Sequence, residues 1–496
     1  MLTVDEIRQF IDEDAVSDKK RKAKVGQDYY EGNHDILQYR MFYYNTDGVL
    51  VEDKSRSNSR ICHPFFTEHV DQLAAYIMSF EEKPIQAKEQ AEGLQDLLDM
   101  YFDDEFWAEI QDLITGTNAK GFEYLYAFKN EEDRLTFQCA DSLSVVEVRA
   151  KNTDDHCEYI IYWYVDYIGK DMKKIKRIQV YDKDQIWFYT QVDDGEITLD
   201  EDEPHNPKPN VVSMDKKTGA LYREKTLGFI PFWRLDNCRK QFSGLKPIKG
   251  LIDDYDMMEC GLSNNLQDFD TPIHLVKGFN GDDLGELQQN IKTKKIMGVD
   301  ADGGLEILTV DIPYQARKTK ADEDEKNIYR FGMAFNSAQS GDGNITNVVI
   351  RSRYTLLDLK AGKLIKRLKR FLKPIIQVVL DEINAQHKTD YRYTDVIVDF
   401  KPVVPSSEQE NAAIALTEAQ TKQVLINNIL NVAEIIGDEE TLKAICAIYD
   451  LEFDKLKGQL ERRRAEQEAA NAQAVLEGVV TDEQAAETDP AEIPEQ

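Results

Sequence analysis

LKPIKGLIDDYDMMECGLSNNLQD (Leu245–Asp268) and YQARKTKADEDEKNIYR (Tyr314–Arg330) decide how this chain folds. Both read as helices, and the segment between them, Ile273 to Val310, reads as a small glycine-punctuated β module. A Gly/Ser/Asn loop follows, GMAFNSAQSGDGNITN (Gly332–Asn347), and then a long basic helix with a proline inside it. Two helices that leave a body, carry a β module at their far end and return describe a projecting stalk. A stalk buries too little apolar surface to stand alone. It implies packing against further copies, and so an assembly component rather than a monomeric catalyst.

The helix after the loop has the clearest period. Ile350, Tyr354, Leu357, Ala361, Leu364, Leu368, Phe371 and Ile375 recur at i, i+3/i+4, so one face is buried. Pro374 removes a backbone donor and is predicted to kink the helix or divide it. Arg351, Arg353, Lys360, Lys363, Lys366, Arg367, Lys369, Arg370 and Lys373 crowd into this helix with Asp358 as the one acid among them. Such a run either contacts nucleic-acid phosphate or neutralises acidic neighbours on the same or an adjacent subunit. Arg351 and Arg353, next to the loop, are the better candidates for DNA.

N-terminal to the stalk, the first hundred residues read as helical, with Phe65, Val70, Leu73, Ala74 and Ile77 on one face and a second amphipathic run over Leu94–Ile114. From Gly121 to Glu196 the texture becomes aromatic and β-branched (FEYLYAF, SVVEVR, YIIYWYV, QIWFYTQV), which predicts one meandering antiparallel sheet. Aromatics at this density suit a half-buried sheet better than base stacking. Gly228–Phe232 reads as a short strand leading into the stalk, and Tyr393–Pro405 as a strand returning to the sheet. Ser407 to Glu410 fits a capping box, helices run on to about Ala474, and the acidic end predicts a disordered tail.

Over 496 residues the chain is 42% hydrophobic and 31% charged, enough for a sizeable core, with a formal net charge of −31. That acidity argues against free-standing DNA binding, which needs cations to displace counterions from phosphate. It fits solubility and self-repulsion, or a surface past which a polyanion can slide. The six cysteines are scattered singly, so structural zinc is not expected. No secretory h-region and no stretch of roughly 20 apolar residues is found, so the sequence reads as cytosolic and soluble.

No catalytic constellation emerges. Ala361-Gly362-Lys363 lacks the hydroxyl and upstream glycine of a phosphate-binding loop, and Gly341 and Gly343 lack the strand and third glycine of a dinucleotide fingerprint. Asp253, Asp254, Asp256 and Glu259 are the best carboxylate cluster for a metal-dependent nuclease. On a helix, however, Asp253 and Asp256 share a face and Asp254 does not, which reads more simply as a solvated acidic face. No catalytic residue, metal or cofactor is assigned.

The order of several short segments resembles the portal proteins of long-tailed double-stranded DNA bacteriophages. They are YYEGNHDIL (Tyr29–Leu37), NSRICHPFFTEHVDQLAAYIMSFEEKPI (Asn58–Ile85), GFIPFWRLDN, IKGLIDDYD and SNNLQDFDTPIHLVKGF, and the likeness runs from about Gln27 to about Glu468. The chain departs from the family in carrying Ser79-Phe80-Glu81-Glu82-Lys83 where a glycine often precedes the proline.

The resemblance implies an α+β, mainly helical portal fold in a homo-oligomeric ring of about twelve copies closed by heterologous contacts. It implies a wing with a β-sheet (1–244, with a returning strand at 393–402), stem helices at 245–268 and 314–331, and a small α/β clip at 269–313. A tunnel loop (332–347), a long kinked basic helix (348–392), a crown (406–474) and a disordered acidic tail (475–496) complete it. The implied function is a channel at one capsid vertex for packaging and ejecting double-stranded DNA. Terminase and a head-tail connector protein would dock at the clip, with major capsid and scaffolding proteins as further partners and no membrane. Asn336, Ser337, Gln339, Ser340, Asn344, Arg351 and Arg353 would face DNA; the neutral donors can touch phosphate while releasing few counterions. Lys277, Asp282, Asp283, Lys292, Lys294 and Lys295 would form the motor and connector interface. The implied location is the virion, with host cytoplasm during assembly. A metal-dependent nuclease and another capsid or tail structural protein are the competing readings.

Overall fold

The computed structural model describes residues 1–130, 134–149, 157–168, 172–210, 227–269, 273–277, 304–308, 312–336, 347–403, 408–433 and 437–449, with Phe453 and Gly458. The chain divides into two compact units, residues 1–344 with 348–405, and residues 345–347 with 406–496.

In the first unit, α1 (Val4–Ala15) starts at a capping box: Glu6 N–H donates to the Thr3 hydroxyl, and Thr3 N–H donates to the Glu6 carboxylate. Helix α2 (Asp18–Tyr30) leads to a hairpin of β1 (Phe42–Tyr44) and β2 (Leu50–Glu52), then α3 (Phe65–Met78) and β3 (Ile85–Ala87). Helices α4 (Leu94–Tyr101) and α5 (Asp104–Lys120) follow. Asp103 caps α5, its carboxylate accepting from Phe106 N–H at 3.0 Å. Gly121 ends that helix at φ 99°, in the left-handed region that glycine tolerates best.

The predicted single sheet is two sheets. Strands β4 (Phe122–Lys129) and β5 (Leu135–Ala140) pair antiparallel. They form a three-stranded sheet in the order β12-β4-β5 with β12 (Phe232–Asp236). Strands β6 (Val145–Arg149), β7 (Cys157–Ile168), β8 (Lys173–Tyr181), β9 (Gln185–Val192) and β10 (Ile197–Leu199) form the meander, and β11 (Lys208–Pro209) pairs with β9. The strand expected at Gly228–Phe232 therefore begins later. Pro231 has no N–H to add to a ladder, although its carbonyl accepts from Ala127 N–H at 3.0 Å.

After a turn containing Pro247 comes α6 (Lys249–Phe269), four residues later than the pattern suggested. Strands β13 (Ile273–Lys277) and β14 (Gly304–Leu308) pair antiparallel with Ile273 opposite Leu308. Helix α7 (Tyr314–Gly332) runs back along α6. The direction is fixed by Lys320 Nζ donating to Asp254 at 2.6 Å and by Arg317 reaching the Met258 carbonyl. Gly332, expected in the loop, closes α7, and Asn347 opens α8 (Asn347–His387).

Helix α8 is one element of 41 residues and runs through Pro374 without dividing. It stops at His387 rather than near 392; Lys388 turns the chain at φ 58°. Its periodic face, with Leu357, Ala361, Leu364, Leu368, Phe371 and Ile375, is buried against α3, α4, α5, β4 and β5 in the largest core. Each of the leucine, isoleucine and phenylalanine side chains contributes about 1.5–3 kcal/mol, so this helix organises the unit. The returning strand is also corrected: β15 (Val396–Val398) pairs with β3, not with the large sheet.

Three smaller cores complete this unit, one of which joins Phe122 and Tyr124 of β4 to Val145, Ile160 and Tyr181 of the meander. Ile7 and Ile11 of α1 pack on the meander against Ile161, Ile178 and Trp187. Phe66 and Val70 of α3 pack on Ile248, Ile252 and Ile328 at the root of the α6–α7 pair.

The second unit contains α9 (Glu408–Asn431) and α10 (Asp438–Tyr449), in contact with each other. The expected cap at Ser407 and the acidic tail at 475–496 lie outside the described residues.

Candidate functional site

The start of the Gly/Ser/Asn loop is held firmly. Met333 turns the chain out of α7 at φ 55°, and Ala334 N–H bonds back to the Tyr329 carbonyl at 3.0 Å. Phe335 is gripped by a reciprocal pair with Gln72 of α3: its N–H donates to the Gln72 side-chain oxygen at 3.0 Å, and the Gln72 amide donates to its carbonyl at 2.9 Å. The Phe335 ring stacks on Tyr354 of α8 at 4.6 Å. Asn336 Nδ2 donates to Glu325 at 2.8 Å, so this candidate DNA-facing residue is bound back to α7. Ser337, Gln339, Ser340 and Asn344 lie outside the described residues.

Helix α8 supports this anchor. Lys360 points inward, its Nζ donating to the Gly332 carbonyl at 3.0 Å, and burial pushes its pKa down to about 8. His69 of α3 lies against the same glycine. Burial, helped by the nearby Lys360 charge, pushes His69 down to about 3, so its imidazole is neutral.

The structure sorts the basic run. Arg351 and Arg353 lie in the first turns of α8. Lys369 pairs with Asp399 at 2.8 Å, and Lys373 lies 5.2 Å from the Tyr393 ring. Lys363, Lys366, Arg370 and Lys373 are exposed, spaced at three or four residues along one stripe. Of the clip candidates, Lys277 is on β13; Asp282, Asp283, Lys292, Lys294 and Lys295 lie outside the described residues.

The α6 carboxylates do not converge on a common point. Asp253 is hydrogen-bonded by Tyr29 and by Lys249 Nζ at 2.8 Å, while Asp254 pairs with Lys320. Asp256 is fully buried between two histidines, His34 Nδ1 at 2.7 Å and His63 Nδ1 at 2.8 Å, and also accepts from His63 N–H at 2.9 Å. An ionised carboxylate only accepts, so both Nδ1 atoms carry protons. Burial works to raise the Asp256 pKa, but the imidazole hydrogen bonds outweigh it and hold it below the usual carboxylate range. Sequence spacing missed this constellation because the three residues come from distant segments. Among the described residues no group of three or more His, Cys, Asp or Glu side chains is arranged to hold a metal. The pattern ties residues 34 and 63 to α6.

Residues 11–470 match the family model described as phage portal protein, SPP1 Gp6-like. This chain belongs to that family of phage portal proteins. Two curated relatives agree. The portal protein of Bacillus phage SPP1 is 23% identical over 368 residues, 74% of this chain and 71% of the relative. The portal protein of Clostridium phage phiCD119 is 23% identical over 386 residues, 72% of this chain and 80% of the relative. Among solved structures, a chain from the neck of an empty GTA particle computed with C6 symmetry aligns at TM-score 0.39 and 14% identity, covering 77% of this chain and 90% of that one. Portal proteins are structural components of phage particles and not enzymes, which removes the nuclease reading of Asp253 and Asp256. Among the described residues no helix is long and apolar enough to cross a membrane.

Proposed function

We propose that this portal-family chain is the repeating subunit of a ring of about twelve copies that forms the DNA channel at one capsid vertex. Double-stranded DNA passes through it during packaging and ejection, and ATP hydrolysis resides in a separate terminase.

The observation that carries this reading is the α6–α7 pair, which leaves one body, returns to it, and bears the β13–β14 ladder beyond its outer ends. At those outer ends Leu266, Phe269 and Tyr314 are exposed. Exposed large apolar side chains on so thin an element are what neighbouring copies would cover. In this reading α6 and α7 are the stem, and residues 269–313, with Lys277, Asp282, Asp283, Lys292, Lys294 and Lys295, dock terminase and then the head-tail connector. Ser337, Gln339, Ser340 and Asn344 touch passing phosphates, with Arg351 and Arg353 behind them. The anchoring of Phe335 to Gln72 supports this role, because a loop that meets moving DNA needs a fixed root.

The native mass and negative-stain images of the purified chain, followed by packaging with a Ser337→Ala, Gln339→Ala, Ser340→Ala variant, test the reading. Closed rings with a central hole, and particles of the variant with altered DNA length, are the expected results. Rings whose loop variant packages and retains DNA normally would leave a structural component with no DNA-handling loop.

A further inference from the structure

The exposed stripe of α8 is more than a run of cations. Leu356 and Leu359 are 38% and 53% exposed and continue the stripe of Lys363, Lys366, Arg370 and Lys373 at the same three- and four-residue spacing. Like charges at this spacing repel one another along a helix. In a chain with 92 acidic residues against 61 basic ones, Lys363, Lys366 and Arg370 still have no acidic partner among the described residues. The leucines decide the kind of partner. Phosphate has no use for them, whereas a protein surface that is both apolar and acidic would cover the whole stripe.

This chain carries such a surface. Glu89, Glu92, Asp96 and Asp104 are exposed and have no cation partner among the described residues, and Met100, one turn beyond Asp96 on α4, is 56% exposed. Between Glu81 and Glu105 the only basic residues are Lys83 and Lys88. Among the described residues the two surfaces form no ion pair within one chain, although they approach at one edge, where Tyr391 hydrogen-bonds the Glu92 carbonyl and Lys373 lies near the Tyr393 ring. Tyr101, at the end of α4, hydrogen-bonds Gln386 at 3.3 Å. Gln386 lies sixteen residues beyond Arg370 on the same helix, about 24 Å at 1.5 Å per residue.

We propose that the Leu356–Lys373 stripe of α8 docks on the acidic surface on and around α4, from Glu89 to Asp104, of a second copy of this chain. A ring closed by rotation needs two different complementary patches on every subunit, and these are two such patches. The proposal rests on the ring reading above.

Charge exchange tests it better than salt, because screening would weaken the contact while also relieving the repulsion between strongly acidic subunits. Three variants are compared with wild type for ring fraction by native mass: Lys366→Glu with Arg370→Glu, Glu92→Lys with Asp96→Lys, and all four together. All four positions are exposed, so thermal melting should be unchanged in each. The expected result is at least a tenfold loss of rings in either pair variant and recovery in the fourfold one. Rings at wild-type level in both pair variants would overturn the contact and leave the ring reading intact. So would failure of the fourfold variant to recover while it melts normally. A Lys366/Arg370 variant that assembles fully but yields particles short of DNA would assign the stripe to phosphate instead. Absence of rings from the wild-type chain would overturn the ring reading, and this contact with it.

Discussion

A methyl group added at Gly332 would sit 2.3 Å from Nδ1 of His69, closer than any real contact. His69 is fully buried, and neither ring nitrogen has a hydrogen-bond partner among the described residues, so the ring has little room to yield. Gly332→Ala should therefore cost about 1–3 kcal/mol, the usual penalty of overpacking. His69→Ala combined with it should recover part of that loss; chemical denaturation measures both, and additive losses would show that the ring is not the obstacle. The same histidine sets a pH dependence. Its pKa is about 3 in the fold against 6.5 for the free side chain, so between those values the unfolded chain binds a proton that the folded chain refuses. Its contribution is complete above pH 6.5 and is lost as pH falls below that. Each pH unit of a full proton difference is worth about 1.4 kcal/mol. From pH 6.5 to 5, wild type should lose about 1–2 kcal/mol more than His69→Leu, and parallel curves would remove His69 as the cause.

At the scale of elements, α8 was the most legible part of the sequence, because its apolar period needs only local information. Its passage through Pro374 was not legible. The proline side chain is exposed while Ile375 and Ile376 beside it are buried, so packing on both sides of the break holds the helix together. Pro374→Ala should restore the bond to the Arg370 carbonyl and relieve the ring's clash with it, a cost of roughly 3 kcal/mol in a helix interior. Loosening of the unfolded chain returns about 0.4–1 kcal/mol of that. A net gain of about 2 kcal/mol is expected in a denaturant titration; a loss would mean that Ile375 and Ile376 need the proline's geometry. The division of the sheets was hidden for a different reason. β5 and β6 look alike as sequence, but β4 takes as its second partner β12, about a hundred residues away, and nothing local in FEYLYAF records that choice. The His34–Asp256–His63 group was invisible on the same grounds. Helical geometry set Asp254 apart from Asp253 and Asp256, but the solvated acidic face it suggested is corrected: Asp256 is fully buried, while Asp253 and Asp254 pair with Lys249 and Lys320.

The whole molecule shows how much of its surface is incomplete in one copy. Hairpin β1–β2 is built by its turn rather than by packing. The Asn45 side chain accepts from Asp47 N–H at 3.0 Å and Val49 N–H at 2.9 Å, and Gly48 takes φ 73°. All three residues of β1 are exposed, Tyr44 by 73%, and Leu50 opposite it by 54%. Two-stranded hairpins are marginal in water, and this one presents aromatic surface that the other described residues do not cover. Its charges do not point to nucleic acid either: Arg40 pairs with Glu52 at 3.2 Å, as Arg56 does with Asp53. Covering by a neighbouring subunit is the simplest use of such a surface in a ring. Removing it should separate folding from assembly. Tyr44→Ser with Leu50→Ser deletes one exposed cross-strand pair, worth about 0.2–1 kcal/mol, so the melting temperature should move by no more than about 2 °C. The ring fraction by native mass should nevertheless fall severalfold. A clear drop in monomer stability would place the hairpin against its own chain, and rings at the wild-type level would remove it from the subunit contact.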